Sequence, residues 1–320
     1  MDNSIRKRDA GIDWLKAFAV FLVMNSHMHM CYPKYSFLAS GGAIGDALFF
    51  FASGFTLFLG RQMRFDNWYK RRINRIYPTI IATAIISWAV WGNTDSIGDI
   101  LLAKRYWFIG CILVYYVLLY PIKAIKDGAY AYYCLALGGV ISVSLYFVFF
   151  NNGKAFYSGG IFRCIAYFLI MLQGAIMGKS SNQMEFKMIH VLLFCASVIC
   201  FYAFFYIGND SALILLSFCA LFGVTRYGYL SCCSPVLKRL YNSRWLGGIV
   251  YVISQLCLEV YLIQKYIFTT DLNAYFPMNI PIIMLAVILA AYIVRTFAEF
   301  ISQTFNTGQY DWGKLLLKGK

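Results

Sequence analysis

Apolar residues in this chain run in blocks of about twenty, set apart by short stretches where Lys, Arg, Asp, Asn, Gly and Pro gather. A block of that length is what a helix rising 1.5 Å per residue needs to cross roughly 30 Å of hydrocarbon. Ten are legible, near residues 11–30, 42–60, 76–92, 106–122, 129–150, 159–178, 188–207, 211–225, 247–268 and 279–300. The pattern has no internal repeat, low-complexity linker or soluble appendage. It predicts an all-α, polytopic integral membrane protein with about ten transmembrane helices, residues 1–320 forming one membrane domain.

Composition agrees and removes the alternatives. With 61% hydrophobic and 13% charged residues and a mean hydropathy of +0.64, a soluble fold would leave too much apolar surface in water. The 28 Phe and 25 Tyr beside 6 Pro exclude disorder and collagen. The 28 Lys and Arg exceed the 14 Asp and Glu to give a net charge of +14, which on a soluble protein would suggest nucleic acid. Sorting those cations by loop gives a different meaning. If the N-terminus is cytoplasmic, 20 fall on the cytoplasmic side, 4 outside and 4 within spans. That bias follows the positive-inside rule and an even number of spans, so both termini are predicted cytoplasmic, the lipid bilayer is the partner and no nucleic acid is implied. Arg6, Lys7 and Arg8 precede the first block with no small-residue cleavage site after it, the pattern of a retained signal anchor. Seven of the 10 Cys (Cys111, Cys134, Cys164, Cys195, Cys200, Cys219 and Cys257) fall inside spans, where a thiol packs as a small hydrophobe. None shows metal-ligand spacing. Cys232 and Cys233 lie in a cytoplasmic loop and are expected to stay reduced.

Ionisable groups within spans carry an insertion cost of at least about 2.5 kcal/mol at the helix centre, so each asks for a reason. Lys16 and His27 lie three helical turns apart, on one face and about 16 Å apart along the axis, with Ala19, Val20 and Val23 as a lane of small side chains between them. In the second block Asp46 and Ser53 share a face, and Asp46 falls at the depth of His27. A carboxylate on one imidazole nitrogen fixes the tautomer and supports a general base. Arg163, Glu259 and Gln264 map to nearby depth, with an Arg163–Glu259 ion pair as the purely structural alternative. The loop after the second block holds Arg61, Arg64, Lys70, Arg71, Arg72 and Arg75, more charge than orientation requires. Arg forks at helical spacing suit phosphate oxygens or anionic headgroups.

These residues resemble the bacterial membrane acyltransferases of acyltransferase family three. The first block, with Asp13, Leu15, Lys16, Ala19, Val23 and His27, is similar to that family's basic residue, ten positions and a His. Gly45, Asp46, Phe49, Phe50, Ser53, Gly54 and Phe55 resemble its stretch ending in Ser-Gly-Phe. Arg71, Arg72, Arg75, Ile76, Tyr77 and Pro78 look like its Arg-rich entry to the third span. Trp107, Phe108, Tyr116 and Pro121 resemble its fourth span, and Val260, Tyr261, Leu262 and Ile263 a late segment. Lys16 stands where Arg is usual, and Gln264 where His is common. The resemblance implies O-acetyl transfer from acetyl-CoA, a co-substrate with no metal, to a hydroxyl of a surface polysaccharide or lipid-linked glycan, at the bacterial cytoplasmic (inner) membrane. It assigns His27, Asp46 and Ser53 to catalysis, Lys16, Arg71, Arg72 and Arg75 to the acyl-CoA, and Trp107, Arg163, Glu259 and Gln264 to the acceptor. Outer aromatics such as Tyr32, Tyr35, Phe156 and Tyr157 are read as interfacial anchors or as stacking surfaces for sugars. Two other classes stay open on the residues alone: a transporter or flippase for a lipid-linked or anionic solute, and a copper site from His27, Met28, His29, Met30 and Cys31.

Overall fold

The computed structural model describes residues 8–60, 62–93, 97–101, 106–125, 128–149, 160–180, 185–207, 214–305 and 308–317. Arg6, Lys7, Arg61, Phe156 and Tyr157 lie outside these. Every regular element described is helical: α1 (Ala10–His27), α2 (Gly42–Leu59), α3 (Phe65–Trp91), α4 (Ile97–Leu101), α5 (Trp107–Ala124), α6 (Gly128–Phe149), α7 (Ile161–Ser180), α8 (Met188–Ile207), α9 (Ile214–Cys232), α10 (Pro235–Asn242), α11 (Arg244–Gln255), α12 (Cys257–Ile267), α13 (Asn279–Thr304) and α14 (Trp312–Leu315), with short 3₁₀ turns between some of them.

Each of the ten predicted blocks coincides with a helix or a helix pair. Among the described residues seven helices are long and apolar enough to cross a membrane, eight if the bent pair α11–α12 is one span. The first helix falls short in apolarity because Asp13, Lys16, Asn25 and His27 interrupt it. The described apolar stretch of α6, Tyr130–Tyr146, falls short in length. The block at 247–268, expected as one continuous span, is broken at Leu256 with a 78° bend. Polar anchoring accounts for the break. Ser254 Oγ, in the last turn of α11, donates to Asp13 Oδ1 at 3.1 Å, while Glu259 sits in the first turn of α12, where the helix dipole favours an anion.

At the centre, α2 and α7 run parallel with their backbones in contact. A Cβ on Gly54 would lie 1.8 Å from the Met171 carbonyl oxygen, one on Gly174 2.1 Å from that of Phe51, and one on Gly178 2.4 Å from that of Phe55. Small residues at an interface give membrane helices close van der Waals approach where no hydrophobic drive is available. On the other side of α2, a Cβ on Gly45 would meet Val23 Cγ2 at 2.6 Å and the Ala19 carbonyl at 3.1 Å. The small residues of α1 are therefore occupied by α2.

The start of α1 is tied down by a buried carboxylate. Asp13 accepts from Arg8 Nη2 at 2.8 Å, Tyr241 Oη at 2.6 Å and Ser254 Oγ at 3.1 Å, joining α1 to α10 and α11. Burial lowers the Arg8 pKa, but the hydrogen bond and charge of Asp13 outweigh this and raise it, so the guanidinium stays charged. Asp13→Ala strands a tyrosine hydroxyl and a partly exposed arginine, and should lower stability by about 2 kcal/mol. The check is a thermal melt of the detergent-solubilised protein; an unchanged midpoint would show the tie to be dispensable.

Candidate active site

Helices α1, α2, α3, α5, α11, α12 and α13 enclose a cavity of about 570 Å³. Of the predicted site residues it gathers Lys16, Ser53, Arg71, Arg72, Arg75 and Glu259. The three arginines project from the N-terminal half of α3, where spacings of one and three residues place them on neighbouring turns. Arg72 is steadied by aromatic faces, its guanidinium 4.9 Å from the Trp68 ring centre and 5.6 Å from that of Tyr116. Its Nε is buried with no hydrogen-bond partner among the described residues. Across the cavity Thr79 Oγ1 donates to Glu259 Oε1 at 3.4 Å, and Glu259 Oε2 is buried and has no partner among the described residues.

The sequence reading missed one wall. Arg295 and Glu299 of α13 form an ion pair at 3.6 Å and line the same cavity, with Arg295 Nη1 buried and without a partner among the described residues. The signal was present: an Arg and a Glu four residues apart within an otherwise apolar block. Lys16, Arg71, Arg72, Arg75 and Arg295 thus face Glu259 and Glu299, a net positive enclosure suited to an anion.

A second group lies beyond the cavity, at the end of the bundle where α1 finishes and α2 begins. His27, exposed at the last position of α1, places Nδ1 2.8 Å from the Val23 carbonyl and 3.4 Å from Gln264 Nε2 of α12. A carbonyl only accepts, so the shorter contact puts the proton on Nδ1 and leaves Nε2 its lone pair; Gln264 Nε2, itself a donor, is then a packing neighbour of the ring and not a hydrogen-bond partner. Orientation of the imidazole was expected from Asp46. Among the described residues Asp46 makes no hydrogen bond to His27, and the backbone of α1 does that work instead. Asp46 lies in the field of Arg163. The Arg163 guanidinium stacks 3.5 Å above the Trp107 ring and so joins α7 to α5, with Asp46 of α2 within the field of that cation. The alternative Arg163–Glu259 ion pair does not form; the side chain bonded to Glu259 is Thr79.

The expected lane from Lys16 to His27 is closed by Gly45 of α2, since Ala19, Val20 and Val23 are fully buried. Helix α12 links the two groups instead: Glu259 and Tyr261 line the cavity and Gln264, one turn on from Tyr261, reaches His27. The five candidate copper ligands diverge, with Met28 and Cys31 buried and His27, His29 and Met30 exposed.

A multi-pass helical membrane protein with a basic internal cavity and an exposed imidazole beyond it defines the broad class. The model of an acyltransferase domain, that of acyltransferase family 3, matches residues 9–296, and the chain belongs to that family. It is thus a membrane acyltransferase by family. No curated protein and no solved structure matches it.

Proposed function

We propose that the protein transfers an acetyl group from cytoplasmic acetyl-CoA to a hydroxyl of a surface polysaccharide or its lipid-linked precursor in the bacterial inner membrane, with both termini cytoplasmic. The observation that carries this reading is the cavity itself. Its basic lining, with nitrogens on Arg72 and Arg295 that have no partner among the described residues, suits the phosphates of a CoA, and its apolar lining of Phe49, Phe108, Ile109 and Ile112 suits a thin apolar arm. The thioester then advances past Ser53 and Tyr261 toward His27. There Nε2 removes the proton of the acceptor hydroxyl as its oxygen attacks the thioester carbonyl, and the CoA thiolate leaves. Trp107 and Arg163 offer an aromatic face and a cation to a sugar or its phosphate, and Gln264 packs beside the His27 ring.

Purified protein in proteoliposomes, given labelled acetyl-CoA and the glycan fraction of its own host, tests the reading; absence of acetyl transfer with solute uptake instead would favour the transporter. Arg72→Ala and Arg75→Ala should each raise the KM for acetyl-CoA about tenfold with smaller effects on kcat, because each removes a charge-assisted contact of roughly 1.5 kcal/mol. Equal KM values would reduce that stretch to an orientation signal.

A further inference from the structure

Cys111 on α5 and Cys164 on α7 bring their Sγ atoms to 3.4 Å, and both are only partly buried. Each lies within about one turn of the start of its helix, about 4.5–6 Å along the axis from its first residue. Their surroundings are those of the Trp107–Arg163 cluster. Trp107 is one turn before Cys111 on α5, Arg163 is the residue before Cys164, and the Tyr115 hydroxyl donates to the Cys164 carbonyl, pinning α5 against α7 at this level. A disulfide has its sulfurs about 2.05 Å apart, so closure needs a movement of about 1.4 Å, within reach of a side-chain rotation.

We propose that Cys111 and Cys164 are a redox modification site: a disulfide-class oxidant converts them to an intramolecular disulfide that locks α5 to α7 and holds the Trp107–Arg163 stack in one geometry. The chemistry is thiol–disulfide exchange. The thiolate of one cysteine attacks a sulfur of the oxidant and releases one thiol; the other cysteine's thiolate attacks the mixed disulfide and releases the second. Two protons and two electrons leave with the oxidant, which departs as two thiols. The cross-link stands independently of acyl transfer, whereas its effect on rate rests on the function proposed above.

The test exposes the full-length protein in membranes to oxidised glutathione, alkylates the remaining thiols and maps the peptides by mass spectrometry. The expected product joins the Cys111 and Cys164 peptides, disappears with dithiothreitol, and is absent from Cys111→Ser and Cys164→Ser. Acetyl transfer should fall several-fold on oxidation of the wild type, recover on reduction, and stay constant in oxidant-treated Cys111→Ser. Full alkylation of both thiols after oxidation would overturn the site, and a cross-link with unchanged transfer would overturn its effect on α5 and α7. Failure of the acyltransferase reading shows separately, as no transfer by the untreated protein.

Discussion

Replacing His27 by Ala is expected to reduce acetyl transfer by about 10²- to 10⁴-fold, the range that a positioned general base contributes, while acetyl-CoA still binds. The fold should tolerate the change. His27 is exposed at the C-terminal residue of α1, and the Val23 carbonyl it releases still accepts from Ser26 Oγ at 2.8 Å. Donor binding should persist because the basic cavity is lined by Lys16 and the arginines of α3, not by His27. The measurement pairs a transfer assay with a donor-binding isotherm on the same preparation. Unchanged transfer would remove His27 from the chemistry. A parallel loss of binding would move it into the donor pocket. Gln264→Ala should give a milder loss, since the Val23 carbonyl still holds the ring.

The helical membrane class was legible because one signal repeats along the whole chain: apolar blocks of spanning length with basic residues between them. The basic face of the cavity was legible too, since Arg71, Arg72 and Arg75 are close in sequence and helical spacing alone makes them neighbours. What could not be read were relations between distant helices. Depth arithmetic placed Asp46 level with His27 but gives no rotation about the helix axis, and the charge whose field reaches Asp46, Arg163, comes from a helix more than a hundred residues away. The same limit applies to the lane of small residues on α1. A row of Ala and Val describes an open path and a close helix contact equally well, and Gly45 decides for the contact. The 78° break at Leu256 has no proline or glycine to announce it; it depends on the hydrogen bond of Ser254 to Asp13, 241 positions earlier.

Gly54→Ala is expected to be strongly damaging, with the shortest Cβ contact found among the described glycines. The new Cβ would stand 1.8 Å from the Met171 carbonyl oxygen and 2.8 Å from its carbon, and both belong to backbone, so no rotamer change relieves the clash. Helices α2 and α7 would have to separate by more than an ångström. That separation also opens the contacts at Gly174 and Gly178 and shifts Ser53, Asp46 and Arg163 together. Overpacking in a dense core costs about 1–3 kcal/mol where side chains can adjust, and this site lacks that freedom, so about 3 kcal/mol or more is expected. Gly110→Ala on α5 and Gly139→Ala on α6 are the matched controls. A Cβ at either meets nothing within 4 Å, and the higher helix propensity of Ala favours them by up to about 1 kcal/mol. Monodisperse yield after detergent extraction and the thermal midpoint report the difference, and equal values for Gly54→Ala and Gly139→Ala would rule out the backbone contact between α2 and α7.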